Sequence, residues 1–196
     1  MSADEPASLL RGVRFGSIDR HEDARGSFRE LWRADVFDGL DPAAGGAAPG
    51  TTVRAVQANL SASGLGVLRG LHLHQRQLDH WVVAAGRAFV ALVDIRPLLE
   101  GSGPHPLVET RILKADETVT IPIGVAHGFL ALEPLELIYF VTERYDATDE
   151  LGFAWDDPDA AVPWPVVAGS TGTGPILSPR DQANPSLAHL VATIRR

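Results

Sequence analysis

The amino-acid sequence predicts an all-β domain, an antiparallel sandwich or small barrel that ends in a short helical segment. Three observations lead there. The segments WVVAAGRAFVALVDIRP (81–97), VETRILKADETVTIPIG (108–124) and LELIYFVTERYD (135–146) run or alternate apolar as strands do. They are short, close together and broken by Gly, Pro or Asp, the punctuation of strands joined by tight turns. The chain has 196 residues, enough for one full core and short for two domains of average size, so a single domain over 1–196 is expected.

In chain order, GSFRELWRA (26–34) and VRAVQANLSAS (53–63) read as two earlier strands, and GLDPAAGGAAPGTT (39–52) between them reads as a Gly/Ala/Pro loop. IPIGVAHGFL (121–130) carries His127 on a strand of its own. VVAGSTGTGPIL (166–177) is loop-like, and LSPRDQANPSLAHLVATIRR (177–196) ends in a short helix. Within SPRD, Ser178 suits an N-cap, Pro179 the first turn and Asp181 the reciprocal position of a capping box.

Composition narrows the function classes. Hydrophobic content of 45% and charged content of 21% exclude a disordered chain. A net charge of −8 argues against nucleic acid or an anionic membrane as partner, so any phosphate site must be built from a few placed arginines. The absence of cysteine excludes disulfides and thiolate chemistry. MSADEPASLL lacks a signal-peptide pattern, and no run approaches the roughly 18 apolar residues of a membrane span, so a cytoplasmic protein is expected.

The stretch richest in chemistry is RGLHLHQRQLDHW (69–81). In a strand, residues two apart share a face, so His72 and His74 form a plausible chelating pair. With Asp79 and His127 they make a set of imidazoles and a carboxylate suited to Fe, Mn, Ni or Zn. The spacing resembles the metal-binding cupins, through His72, His74, Asp79 and Gly86, then Pro122, Gly124 and His127. It departs from them in having Asp79 for a longer Glu and Ala131 for a final Asn.

A wider match reads outward from the same residues. ARGSFREL, QANLSASGLGVLRGLH, GRAFVALVDIR, IPIGVAHGFLAL, LIYFVTERYD, FAWDDPDAAVPWP and LSPRDQANP cover most of the chain from about Arg25 to Pro185. Together they resemble the dTDP-4-dehydrorhamnose 3,5-epimerase family. That resemblance implies a cupin-type jelly-roll β-sandwich or barrel, a nucleotide-sugar substrate, no cofactor and a homodimer. It implies epimerisation at C3, C5 or both of a dTDP-4-keto-6-deoxyhexose, on the way to an activated deoxysugar.

By the same resemblance His72 is the base, Asp181 its partner and Tyr139 the acid. Arg25, Phe28, Glu30, Gln57, Asn59, Arg69, His127, Tyr145 and Arg180 form the substrate site. The residue types suit the reaction. C–H bonds beside a ketone are acidic, histidine titrates near neutrality, and paired guanidinium donors hold a pyrophosphate.

One departure bears on the chemistry. The family places a lysine after RGLH to steady the enolate oxygen; here the loop is shorter and Asp79 falls near that place, leaving Arg76, His74 or His80 as replacements. Three readings stay open: a metal-free epimerase, a metal-dependent cupin enzyme using His72, His74, Asp79 and His127, and a non-catalytic sugar-nucleotide binder. The first two exclude each other at His72, because coordination would occupy the lone pair that accepts the proton. The wider match favours the proton role with no metal.

Overall fold

A computed structural model describes residues 7–37, 53–167 and 174–195. The loop expected at 39–52 lies outside the described residues, as do 168–173 of the second expected loop. The strands are β1 (Arg14–Ser17), β2 (Arg20–Asp23), β3 (Gly26–Arg29), β4 (Gln57–Ser63), β5 (Leu68–Leu73), β6 (Asp79–Ala85) and β7 (Arg87–Asp94). They continue as β8 (Leu107–Lys114), β9 (Glu117–Ile121), β10 (Val125–Ala131), β11 (Leu135–Val141) and β12 (Leu151–Gly152). Short helices follow β7, as α1 (Arg96–Glu100), and close the chain as α2 (Pro179–Gln182) and α3 (Leu187–Ile194).

Two antiparallel five-stranded sheets face each other, in the orders β1-β9-β6-β11-β4 and β12-β5-β10-β7-β8, while β2 and β3 form a separate hairpin. The expected all-β sandwich is therefore present. The long apolar segments differ from a simple reading, because two of them divide between the sheets. WVVAAGRAFVALVDIRP becomes β6 of the first sheet and β7 of the second, and VETRILKADETVTIPIG becomes β8 of the second and β9 of the first. At the first crossing Gly86 takes φ +83°, and a Cβ there would lie 2.1 Å from the Pro134 carbonyl oxygen, so only glycine fits.

Alternation on β7 shows how the second sheet is buried on both faces. Ala88, Val90 and Leu92 point between the sheets, joining Val83, Val119, Phe129, Leu135 and Leu137. Ala91 and Val93 point outward into a second core with Leu71, Leu73, Phe153, Leu187 and Leu190. Leu187 and Leu190 lie on α3, whose N-cap Ser186 accepts from the His189 amide. The C-terminal tail thus covers the outer face of the second sheet. Among the described residues no helix is long and apolar enough to cross a membrane.

His80 shows the cost of burying an imidazole in this frame. Its Nδ1 lies 2.8 Å from Thr120 Oγ1, and its ring packs between Phe37 and Phe140. Burial, and then the charge of Arg14, push its pKa down to about 4 from 6.5. Between those values the unfolded chain binds a proton that the folded chain does not, so stability falls as the solution is acidified. Above pH about 6.5 the neutral ring costs nothing; below about 4 both states are protonated and the loss stops. His80→Gln should remove up to about 3 kcal/mol of that pH-dependent loss, at ~1.4 kcal/mol per pH unit. Urea midpoints of both proteins from pH 7 to 4 check it; parallel profiles would show that His80 is not the titrating group.

Candidate active site

Between the sheets, at the β6 N-terminal end, is a cavity of about 390 Å³ with one wall from each sheet. The second sheet supplies Arg69, His72 and His74 from β5 and its continuation, and His127 and Phe129 from β10. The first supplies Gln57, Asn59 and Ser61 from β4, Asp79 and Trp81 from β6, and Tyr139 from β11. Plain alternation puts His72 and His74 on one face but would turn Arg69 away. The β5–β10 register slips between His127↔His72 and Phe129↔Arg69, which brings Arg69 round to the cavity. The irregularity sits at Gly70, where a Cβ would lie 2.6 Å from the Gly128 Cα.

His72 meets Asp181 as the resemblance implied. Its Nε2 lies 2.7 Å from Asp181 Oδ1. The carboxylate is buried and is held from behind by Ser178, whose Oγ donates to Oδ2 at 2.9 Å and accepts from the Asp181 amide at 3.1 Å. Ser178 is the N-cap of α2 as expected, but the Asp181 carboxylate accepts from its hydroxyl and from His72 instead of closing a capping box on the Ser178 amide. Burial raises the pKa of Asp181, but the hydrogen bond and charge of His72, the Ser178 hydroxyl and Arg180 together bring it below the usual value. An ionised carboxylate accepts only, so Nε2 carries the hydrogen and Nδ1 keeps the lone pair.

Tyr139 stands on the opposite wall, in register with Asn59 and Trp81. Burial, and then the charge of Asp79, raise its pKa, which keeps the phenol protonated at neutral pH. Its hydroxyl has no hydrogen-bond partner among the described residues.

His74, Asp79 and His127 form a buried cluster in which one ligand atom of each lies within 4.8 Å of the others. His72 is not part of it, a correction to the four-residue set read from the spacing: its Nε2 turns to Asp181 and it does not join the other three within that distance. Of the lysine replacements considered, Arg76 turns out to pair with Asp146 at 2.6 Å and His80 to face Thr120, and neither lines the cavity. The chain's one lysine, Lys114, pairs with Glu117 on β9.

Most of the expected substrate site converges here. Gln57, Asn59, Arg69, His127, Tyr145 and Arg180 all line the cavity. Gln57 Nε2 donates to Asn59 Oδ1 at 2.9 Å, and its Oε1 accepts from the Tyr145 amide at 3.1 Å. Arg180 Nη2 donates to the Glu150 carbonyl at 2.8 Å. Arg25, Phe28 and Glu30 are elsewhere in this chain. Arg25 and Phe28 lie on the β2–β3 hairpin and Glu30 just after it, all exposed, with Phe28 at 68%. Arg25 pairs with Asp23, and Glu30 with Arg33 at 3.1 Å.

Four further residues matter. Gln77 and Trp81 both donate to Asp79, at 2.7 and 3.0 Å. They flank it at i±2, Gln77 just before β6 and Trp81 within it, a signal present in the sequence. Asp149 holds His74 Nδ1 through its carbonyl at 2.9 Å, and Glu150 holds Arg180; no local pattern announces either.

A profile of the family described as dTDP-4-dehydrorhamnose 3,5-epimerase matches residues 8–189. The chain belongs to this epimerase family. Its relatives include the dTDP-4-dehydrorhamnose 3,5-epimerase of Mycobacterium tuberculosis, 36% identical over 88% of this chain and 82% of that one. They also include the dTDP-4-dehydrorhamnose 3-epimerase of Streptomyces niveus, 34% identical over 88% and 78%. Among solved structures, the Legionella pneumophila dTDP-6-deoxy-D-glucose-3,5-epimerase in complex with dTDP-4-keto-L-rhamnose has a TM-score of 0.77 at 31% identity, over 96% of this chain and 94% of that chain. Family membership accounts for the cupin-like sandwich, and the matched span takes in both sheets and the Asp181 turn.

Proposed function

We propose that this protein epimerises a dTDP-4-keto-6-deoxyhexose at C3, C5 or both, with His72 as base, Asp181 as its partner and Tyr139 as acid. The observation that carries this reading is the placement of His72 and Tyr139 on opposite sheets across one cavity. Inversion needs a proton removed from one face of the sugar and another returned to the opposite face. His72 Nδ1 takes the proton, Asp181 stabilises the imidazolium, and the Tyr139 phenol delivers the second proton. The relatives include both a 3,5-epimerase and a 3-epimerase at similar identity, so C3 is the position common to both. Incubation with the keto sugar in heavy water should place deuterium at C3, C5 or both. Tight dTDP-sugar binding with no incorporation would instead identify a non-catalytic binder.

The remaining substrate residues support a homodimer. Arg29 ties the β2–β3 hairpin to the Ala84 carbonyl and Asp116, at the end of β6 away from Asp79, about 16 Å along the strand. A two-stranded ribbon with an exposed Phe is marginal alone in water, and pairing it with another chain covers it. Arg25, Phe28 and Glu30 then serve the partner's cavity. Light scattering at micromolar concentration should give twice the chain mass; a monomer would overturn the dimer.

A further inference from the structure

The proton transfers leave one part of the cavity without a task. Asp79 is 4% exposed and takes hydrogen bonds from two neutral groups, Gln77 Nε2 and Trp81 Nε1. No arginine or lysine pairs with it among the described residues. A buried carboxylate without a cation is costly. What faces it is His127 Nε2 at 3.6 Å, too long for a hydrogen bond.

The two imidazoles are oriented alike. His74 Nδ1 lies 2.9 Å from the Asp149 carbonyl oxygen and His127 Nδ1 lies 3.1 Å from that of Val125. A carbonyl only accepts, so each Nδ1 carries the hydrogen and each Nε2 keeps its lone pair. A backbone carbonyl behind the ring is the support that metal-ligating histidines use.

We propose that His74, Asp79 and His127 bind one divalent transition-metal ion, and that this ion stabilises charge on the substrate's ketone oxygen where no lysine is available. Two neutral imidazoles and a carboxylate suit Fe, Mn, Ni or Zn and leave positions open toward the cavity. Ligand atoms around such an ion lie roughly 3.0–3.4 Å apart at ordinary bond lengths, which the His127–Asp79 pair already approaches. His72 stays free to act as base, since it lies outside the cluster.

The position fits the electrophilic role. His127 is the cross-strand partner of His72, and Asp79 is opposite Val141, two residues from Tyr139 on β11. Cross-strand and diagonal neighbours lie within about 5–8 Å, so an ion held there would be near both base and acid. When a C3–H or C5–H bond breaks, its proton passes to His72 and its electron pair forms the enolate C=C, moving charge to the ketone oxygen two bonds away. Reprotonation from Tyr139 returns the pair to carbon, and no oxidant or reductant is consumed. Without a cation, the Asp79 carboxylate would oppose that charge.

The electrophilic role rests on the epimerase reading; the metal site itself does not. Protein made without a His-tag, stripped with chelator and titrated with Mn²⁺, Fe²⁺, Ni²⁺ or Zn²⁺ should take up about one ion per chain. His72→Asn should keep it, whereas His74→Ala and Asp79→Asn should bind at least about tenfold more weakly. Stripping should lower deuterium exchange at least about tenfold, and the ion should restore it. Wild-type protein that binds no ion yet exchanges normally would overturn the site and leave the epimerase standing. One bound ion with exchange indifferent to stripping would overturn the electrophilic role. One bound ion with no exchange in either form would sink the epimerase reading and leave the site. An ion retained at full affinity by His74→Ala and Asp79→Asn would overturn the ligand set, and the wild-type titration decides should either variant fail to fold.

Discussion

His72→Asn should lower deuterium incorporation into a dTDP-4-keto-6-deoxyhexose by about 10³-fold or more, toward the upper end of what a positioned base contributes. The substitution removes the ionisable ring and keeps an amide that can still donate toward Asp181, so the buried carboxylate is not stripped of every partner. The side chain is 25% exposed at the cavity wall and lies outside both hydrophobic cores, so the melting temperature should move by only a few degrees. Proton NMR in heavy water reads the exchange directly. Exchange at the wild-type rate would show that another group takes the proton.

Tyr139→Phe should separate two rates that the wild-type enzyme runs together. With His72 as the proposed base, a proton can still be removed and returned on one face, so exchange should survive, while net inversion should fall about 10²-fold for want of the proposed opposed acid. The variant keeps the ring that packs against the core and loses no hydrogen bond to the described residues. Following deuterium content and product stereochemistry in one reaction distinguishes the two. Equal slowing of both would mean that Tyr139 positions the sugar and does not deliver the proton.

Much of the site could be read before the fold was seen, and the exceptions share a cause. His72 and His74 follow from period-two alternation on one strand, and the strand segments themselves follow from their apolar patterns. Alternation does not say which sheet a strand joins, so the passage of one segment through both sheets at Gly86 was not legible. It also fails at a register slip, which is why Arg69 reaches the cavity against its parity. The contact of His72 with Asp181, 109 residues away, is one that spacing within RGLHLH does not encode. The resemblance, which compares whole segments, did supply that pair. That Arg25 and Phe28 stand apart from this chain's own cavity was not legible in any local pattern, because alternation within a hairpin does not say against which part of the fold it packs.

The division of consecutive strands between two sheets also governs how the protein must fold. β1 pairs with β9 through Arg14 and Thr120, β4 with β11 through Gln57 and Val141, and β5 with β12 through Leu73 and Leu151. None of these pairs joins strands that are neighbours along the chain, so ordering entropy is spent on closing long loops before the pairings reward it. Such topologies fold in about milliseconds to seconds, against microseconds for helical bundles. β5 and β11 belong to different sheets, and His72 and Tyr139 cannot oppose each other until both sheets have formed and docked. Recovery of epimerase activity during refolding therefore marks the end of assembly, and a partly folded chain has no early form of the site with which to act.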